Sequence, residues 1–194
     1  MTVRTEDILS FWLDEAGPAK WYANDADFDA EIRSRFEALW EEGRDGKLDQ
    51  WTSHPRKALA LIILLDQFPR NMFRGSAKAF ATDHKAKTAA CYALKQKWDD
   101  RFDSQVRQFF YLPFMHSEAL PDQDHSVRLY ARKMRDHGKD SLPHAIAHRE
   151  IIRRFGRFPY RNAALGRRTS DKEQAFLDSG GYGKVLEESR SAAT

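Results

Sequence analysis

Apolar residues recur along this chain at spacings of three and four, and strict apolar–polar alternation is almost absent. That pattern predicts helices throughout and no sheet. The clearest stripe is Phe28, Ile32, Phe36, Leu39 and Trp40, with Asp25 or Asp27 placed to cap it and Gly43 to Gly46 to end it. Before it, Thr5 with Glu6 and Asp7 opens a helix bearing Ile8, Leu9, Phe11 and Trp12 that stops near Gly17-Pro18. After it, Pro55 sits near a first helical turn, where its missing N–H costs nothing, and Ala58 to Leu65 is apolar on every side. Such a helix belongs at the centre of a fold, and Pro69 is expected to stop it.

A fourth helix is expected from about Ser76 to Lys97 with Phe80, Cys91, Leu94 and Trp98 turned inward. A fifth carries Val106, Phe109, Phe110 and Leu112 before Pro113. The sixth starts near Asp122, lines up Val127, Tyr130, Ala131 and Met134, and ends at Gly138. The seventh begins around Ser141 with Pro143, buries Ile151, Ile152 and Phe155, and stops at Gly156 as an αL cap. Ser170 and Glu173 have the form of a capping box for an eighth. Residues 187–194 are small and polar and read as a frayed tail behind one all-helical domain over 1–186. Short connections make neighbours pack antiparallel as helical hairpins, in a compact array or a curved right-handed stack. A repeat of about 34 residues of the tetratricopeptide kind is not found.

Composition narrows the function classes. With 41% hydrophobic and 12% aromatic residues in 194, the chain can bury a core and is not disordered. A net charge of +3 is too mild for a nucleic-acid binder. The longest apolar run, Ala58 to Leu65, falls far short of the ~18 residues of a membrane span. Met1 to Ser10 has acids and no apolar signal core. Cys91 is the only cysteine, so it reads as a small buried hydrophobe in a reducing, cytoplasmic protein.

Two segments resemble each other: Leu65-Asp66-Gln67-Phe68-Pro69-Arg70-Asn71 and Arg154-Phe155-Gly156-Arg157-Phe158-Pro159-Tyr160-Arg161-Asn162. Each puts Phe-Pro after an apolar helix and Arg-Asn just beyond. Proline ends the helix, Asn can bond the turn, and Arg can cap orphan carbonyls, so both corners make structural sense. From Arg149 to Arg168, however, there are seven arginines, no lysine and one acid, Glu150. That choice favours planar, bidentate pairing with carboxylates or phosphates. The partners are internal (Asp66, Asp83, Glu118, Asp122 and Asp124 are available) or come from outside. Candidate ligand-binding residues are therefore Asp66, Arg70, Asn71, Arg153, Arg157, Arg161 and Asn162.

A third polar cluster, Tyr111 to Glu118, supplies His116 and Glu118 as a candidate acid–base pair. His148 falls on the buried face of its helix, where a hydrogen-bonded core role competes with catalysis. His144 and His148 have the spacing of helical metal ligands, but Ala145 stands where a zinc protease has glutamate, so no metal is expected. No Gly-x-Gly-x-x-Gly, Walker or Gly-x-Ser-x-Gly motif occurs, and no cofactor is expected.

Leu64 to Asn71, Tyr111 to Glu118 and His148 to Asn162, with Phe11-Trp12, Trp21-Tyr22, Phe80 to Asp83 and Ser170 to Leu177, resemble the hallmark blocks of the bacterial "domain of unknown function 924" family. The resemblance spans nearly the whole chain and implies an all-α, tetratricopeptide-like superhelix with no established activity. One departure is Tyr160, a position where the family commonly has histidine. The residues lead to a binding module for an acidic protein segment or small anion, with no nucleic acid or membrane partner. Alternatives are a hydrolase or transferase using His116 and Glu118 with arginine clamps on an anionic substrate, and a scaffold or dimer former with no ligand site.

Overall fold

A computed structural model describes residues 5–134 and 138–191, the side chains of 138–140 excepted. About 78% of the chain is helical, and no strand occurs among the described residues. It gathers into two compact units, Met1–Pro113 and Phe114–Thr194. No described helix is long and apolar enough to cross a membrane.

In the first unit, α1 (Thr5–Leu9) runs into a widened π-turn, Ser10–Ala16, and Gly17, at φ +62°, starts α2 (Gly17–Trp21). The Asp25 carboxylate accepts from the amides of Asp27 and Phe28 and so caps α3 (Ala26–Arg44). The face that α3 buries is the stripe of Phe28, Ile32, Phe36, Leu39 and Trp40. Phe11, Phe28, Phe36 and Phe68 interlock in ring contacts of 4.7–6.1 Å at the centre of this unit.

The central helix corrects one expectation. Here α4 (Pro55–Ile62) continues through a π-turn, Ile63–Gln67, into α5 (Phe68–Met72), so Pro69 lies within a helical rod and does not stop it. The Phe68 amide reaches back five residues to the Ile63 carbonyl, which widens the turn ahead of the proline ring. Pro69 brings no N–H to the carbonyl four residues back, on Leu65, and the Thr82 hydroxyl donates to that oxygen at 2.6 Å.

A second correction concerns Cys91. The expected helix from Ser76 to Lys97 splits into a 3-10 turn, Ala77–Phe80, and α6 (Asp83–Lys95), which buries Ala86, Ala89, Ala90 and Ala93. The inward face is made of alanines, so Cys91 falls outside that stripe and is exposed. Phe80, Leu94 and Trp98 are only partly buried. Next, α7 (Ser104–Arg107) is capped by Asp103, and Pro113 sits inside α8 (Leu112–Met115), where a helix stop is expected.

The second unit holds α9 (Leu120–Lys133), α10 (Gly138–Phe155), α11 (Asp171–Asp178) and α12 (Gly181–Ser191). α10 packs on both α9 and α12, and Ala147, Ile151 and Ile152 of α10 form one buried cluster with Phe158, Phe176 of α11 and Val185 of α12. The sixth predicted helix ends at Lys133, short of Gly138, which instead opens α10, and Pro143 lies inside α10 and not in its first turn. Gly156 adopts φ +69° and its amide bonds the Ile152 carbonyl, the helix stop that the sequence predicts. Both hydrogen bonds of the Ser170–Glu173 capping box are present. Residues 187–191 continue α12, among whose buried residues are Val185 and Ser189; residues 192–194 of the expected tail lie outside the described residues.

Candidate functional site

The two Phe-Pro corners fall in different units and are built differently. In the first, Asp66 on the π-turn is fully buried and accepts from Gln67 Nε2 and, at 3.3 Å, from Arg70. The same guanidinium donates to Asp83 at 2.9 Å. Asn71 donates to Asp29 at 2.8 Å, and Arg74 pairs with that carboxylate. Asp66, Arg70 and Asn71 are thus brought together, each inside an internal network.

In the second corner, one ion pair clamps the backbone of one residue. Glu118 Oε1 accepts the Phe158 amide at 2.8 Å, and Arg167 donates to the Phe158 carbonyl at 3.1 Å. Glu118 and Arg167 are joined bidentately at 2.7 and 3.0 Å. Burial opposes the Glu118 charge, but Arg167 and the Phe158 amide outweigh it, and the carboxyl titrates below its usual range. Asn162 accepts from Arg167 at 3.0 Å and donates to Thr169. Arg157 is bidentate to Glu173 at 2.6 and 2.8 Å, and that pairing, with the Ser170 amide, holds the Glu173 carboxyl far below the carboxylate range. Arg153 is exposed and lies 3.7 Å from Glu150.

Beside this network, Arg161 and two histidines converge on the Phe158 ring. Arg161, only 6% exposed, lies with its guanidinium 4.4 Å over the Phe158 ring and donates to the His116 carbonyl at 3.0 Å. The His148 ring meets Phe158 edge-on at 5.4 Å, Tyr182 at 4.9 Å and His116 at 6.5 Å. Its Nδ1 donates to the His144 carbonyl at 2.8 Å, which fixes the neutral tautomer and leaves Nε2 as the acceptor. Burial, with smaller pushes from His116 and Arg161, drives the imidazolium down to about 3. The His144 ring bonds the Tyr182 hydroxyl, whose phenol is pushed up to about 12 by burial and stays protonated. Tyr160 closes the set, stacked on Phe158 at 5.3 Å and edge-on to Tyr182 at 6.3 Å.

The family model described as "Bacterial protein of unknown function (DUF924)" matches residues 8–181. The chain belongs to this family. It is also similar to the solved structure of a protein of unknown function from Agrobacterium tumefaciens, at 40% identity and a TM-score of 0.84 over 90% of this chain and 97% of that one. No curated protein matches.

Within this DUF924 fold, His116, His148, Arg161 and the Glu118 clamp share one neighbourhood, and Asp66, Arg70 and Asn71 form a separate one. Tyr182 and Arg167 complete the histidine–arginine neighbourhood without any sequence signal of their own. Tyr182 follows two glycines outside any stripe, and Arg167 is one of seven similar arginines. No three His, Cys, Asp or Glu side chains among the described residues are grouped to hold a metal ion.

Proposed function

We propose that this DUF924 protein binds a small organic anion at the histidine–arginine cluster of its second unit. The observation that carries this reading is Arg161, a fixed positive charge at 6% exposure set against the half-buried imidazoles of His116 and His148. Its guanidinium offers planar donors to a carboxylate or phosphate, and the surrounding rings lower the local dielectric and strengthen that contact. His148 Nε2, neutral and fixed in tautomer, accepts a hydrogen bond from a ligand hydroxyl or amide. So little of Arg161 meets solvent that a small molecule suits it better than an acidic protein segment. The lone, exposed Cys91 suits a reducing cytoplasm.

The test is calorimetric titration with acetate, benzoate and inorganic phosphate. Arg161→Gln is expected to lower the affinity of the bound anion at least tenfold, and Arg153→Gln to leave it unchanged. Arg157→Gln is expected to lower the melting temperature but not the affinity, since that arginine serves Glu173. Wild-type protein that binds none of the three, or Arg161→Gln protein that binds as well, overturns the reading. A second reading, a hydrolase or transferase on the same anion, draws on the anchored tautomer of His148. It requires turnover that His148→Gln abolishes while the anion still binds.

A further inference from the structure

Where α8 ends at Met115 its last carbonyls have no intrahelical partner, and the chain turns through Ala119 before α9 begins. The four consecutive carbonyls of residues 114–117 are each taken by a side chain. Gln123, fully buried on α9, turns its Nε2 group to three of them: Met115 at 2.7 Å, Ser117 at 2.6 Å and Phe114 at 3.3 Å. Arg161 donates to the fourth, on His116, at 3.0 Å. The Ser117 hydroxyl adds a tether to Asp122 at 2.6 Å.

Two side chains of the histidine cluster leave the backbone within or beside this stretch. His116 meets the His148 ring at 6.5 Å, and Glu118 accepts the Phe158 amide at 2.8 Å. Both stand between α8 and α9, where no helical ladder dictates the course of the chain. Such a segment takes its shape from the groups that bond its main chain, and Gln123 is the side-chain donor to three of the four carbonyls.

We infer that Gln123 is a positioning residue for the histidine cluster: by holding the Phe114, Met115 and Ser117 carbonyls it fixes where His116 and Glu118 stand. Through Glu118 it also sets the course of the chain at Phe158. Its action is on the main chain, so the inference concerns the frame of the site and stands apart from the anion reading above.

The experiment follows hydrogen exchange and ring signals of the full chain by NMR at neutral pH. Gln123→Met keeps the length and bulk of the side chain and removes its donors. It is expected to speed exchange of the Phe158 amide about tenfold and to move the His116 ring signals. The Gly156 amide, bonded to Ile152 within its own helix end, should change by less than about twofold. Ser126→Ala, at an equally buried position one turn along α9, is expected to change none of these. Equal acceleration at Phe158 and Gly156 would mean general loosening and overturn the inference. Unchanged exchange at Phe158, or the same selective effect from Ser126→Ala, would do so too. Should Gln123→Met fail to fold, Gln123→Glu, which keeps the shape and at most one donor, is read in the same way. The wild-type chain gives an independent check: its Gln123 Nε2 protons are expected to exchange slowly, and rapid exchange would sink the idea.

Discussion

The Thr82 hydroxyl donates to the Leu65 carbonyl at 2.6 Å and accepts from Trp40 Nε1 at 3.0 Å, so one buried side chain joins α3 to the rod that carries Pro69. Thr82→Val keeps the shape and removes both bonds. It is expected to destabilise the protein by about 2–3 kcal/mol, because a buried donor and a buried acceptor each lose a partner. Urea denaturation at neutral pH measures this, and a loss below about 0.5 kcal/mol would show that the bridge is dispensable.

The low titration of His148 has a definite sign. Above about pH 6.5 its ring is neutral whether the chain is folded or not, and it contributes no pH dependence. As pH falls below that value, the unfolded chain takes up a proton that the folded site refuses until about pH 3. Stability should therefore drop through that window, at up to about 1.4 kcal/mol per pH unit from this group. His148→Phe, which keeps a ring against Phe158 and Tyr182, should flatten the drop between pH 6.5 and 4.5. A wild-type urea midpoint constant over that range would contradict the assignment.

Glu118 acts in a different window. Its folded-state titration lies below the ordinary carboxylate range, so its contribution is present above about pH 4.3 and disappears as pH falls through the folded value. Glu118→Gln at neutral pH leaves Arg167 without its carboxylate. It is expected to cost about 2–4 kcal/mol, checked by chemical denaturation, and to release the Phe158 amide, which hydrogen exchange would detect.

Cys91 should react fully with a thiol reagent in the native state, without prior unfolding, because it is exposed. Cys91→Ser is expected to change stability by less than about 0.5 kcal/mol. Slow labelling limited by unfolding would place the thiol in the core.

Legibility in the sequence followed the range of the interactions. The stripe of α3, the Gly156 stop and the Ser170–Glu173 box depend on neighbours within a few residues, and the spacing reveals them. Pro69 misleads because the donor that compensates it lies 17 residues on, at Thr82. Cys91 misleads because an alanine face needs no larger residue beside it. The corners show the limit most clearly. Their shared Phe-Pro and Arg-Asn conceal that Arg70 is held by Asp66 and Asp83, and that Arg161 reaches the His116 carbonyl. The partners that make the difference are remote: Asn71 meets Asp29 across 42 positions and Arg167 meets Glu118 across 49.

An α-helix turns about 100° with each residue, so the widened turn Ile63–Gln67 does more than accommodate a proline. It sets the angular phase of all that follows on the same rod. Phe68, Asn71 and Met72 face the buried side because one residue more than a regular turn holds is wound in upstream. Deleting a single residue there would act as a rotation and not a shortening, swinging Asn71 away from Asp29 and Phe68 out of its ring cluster. Length at that turn is a form of aim.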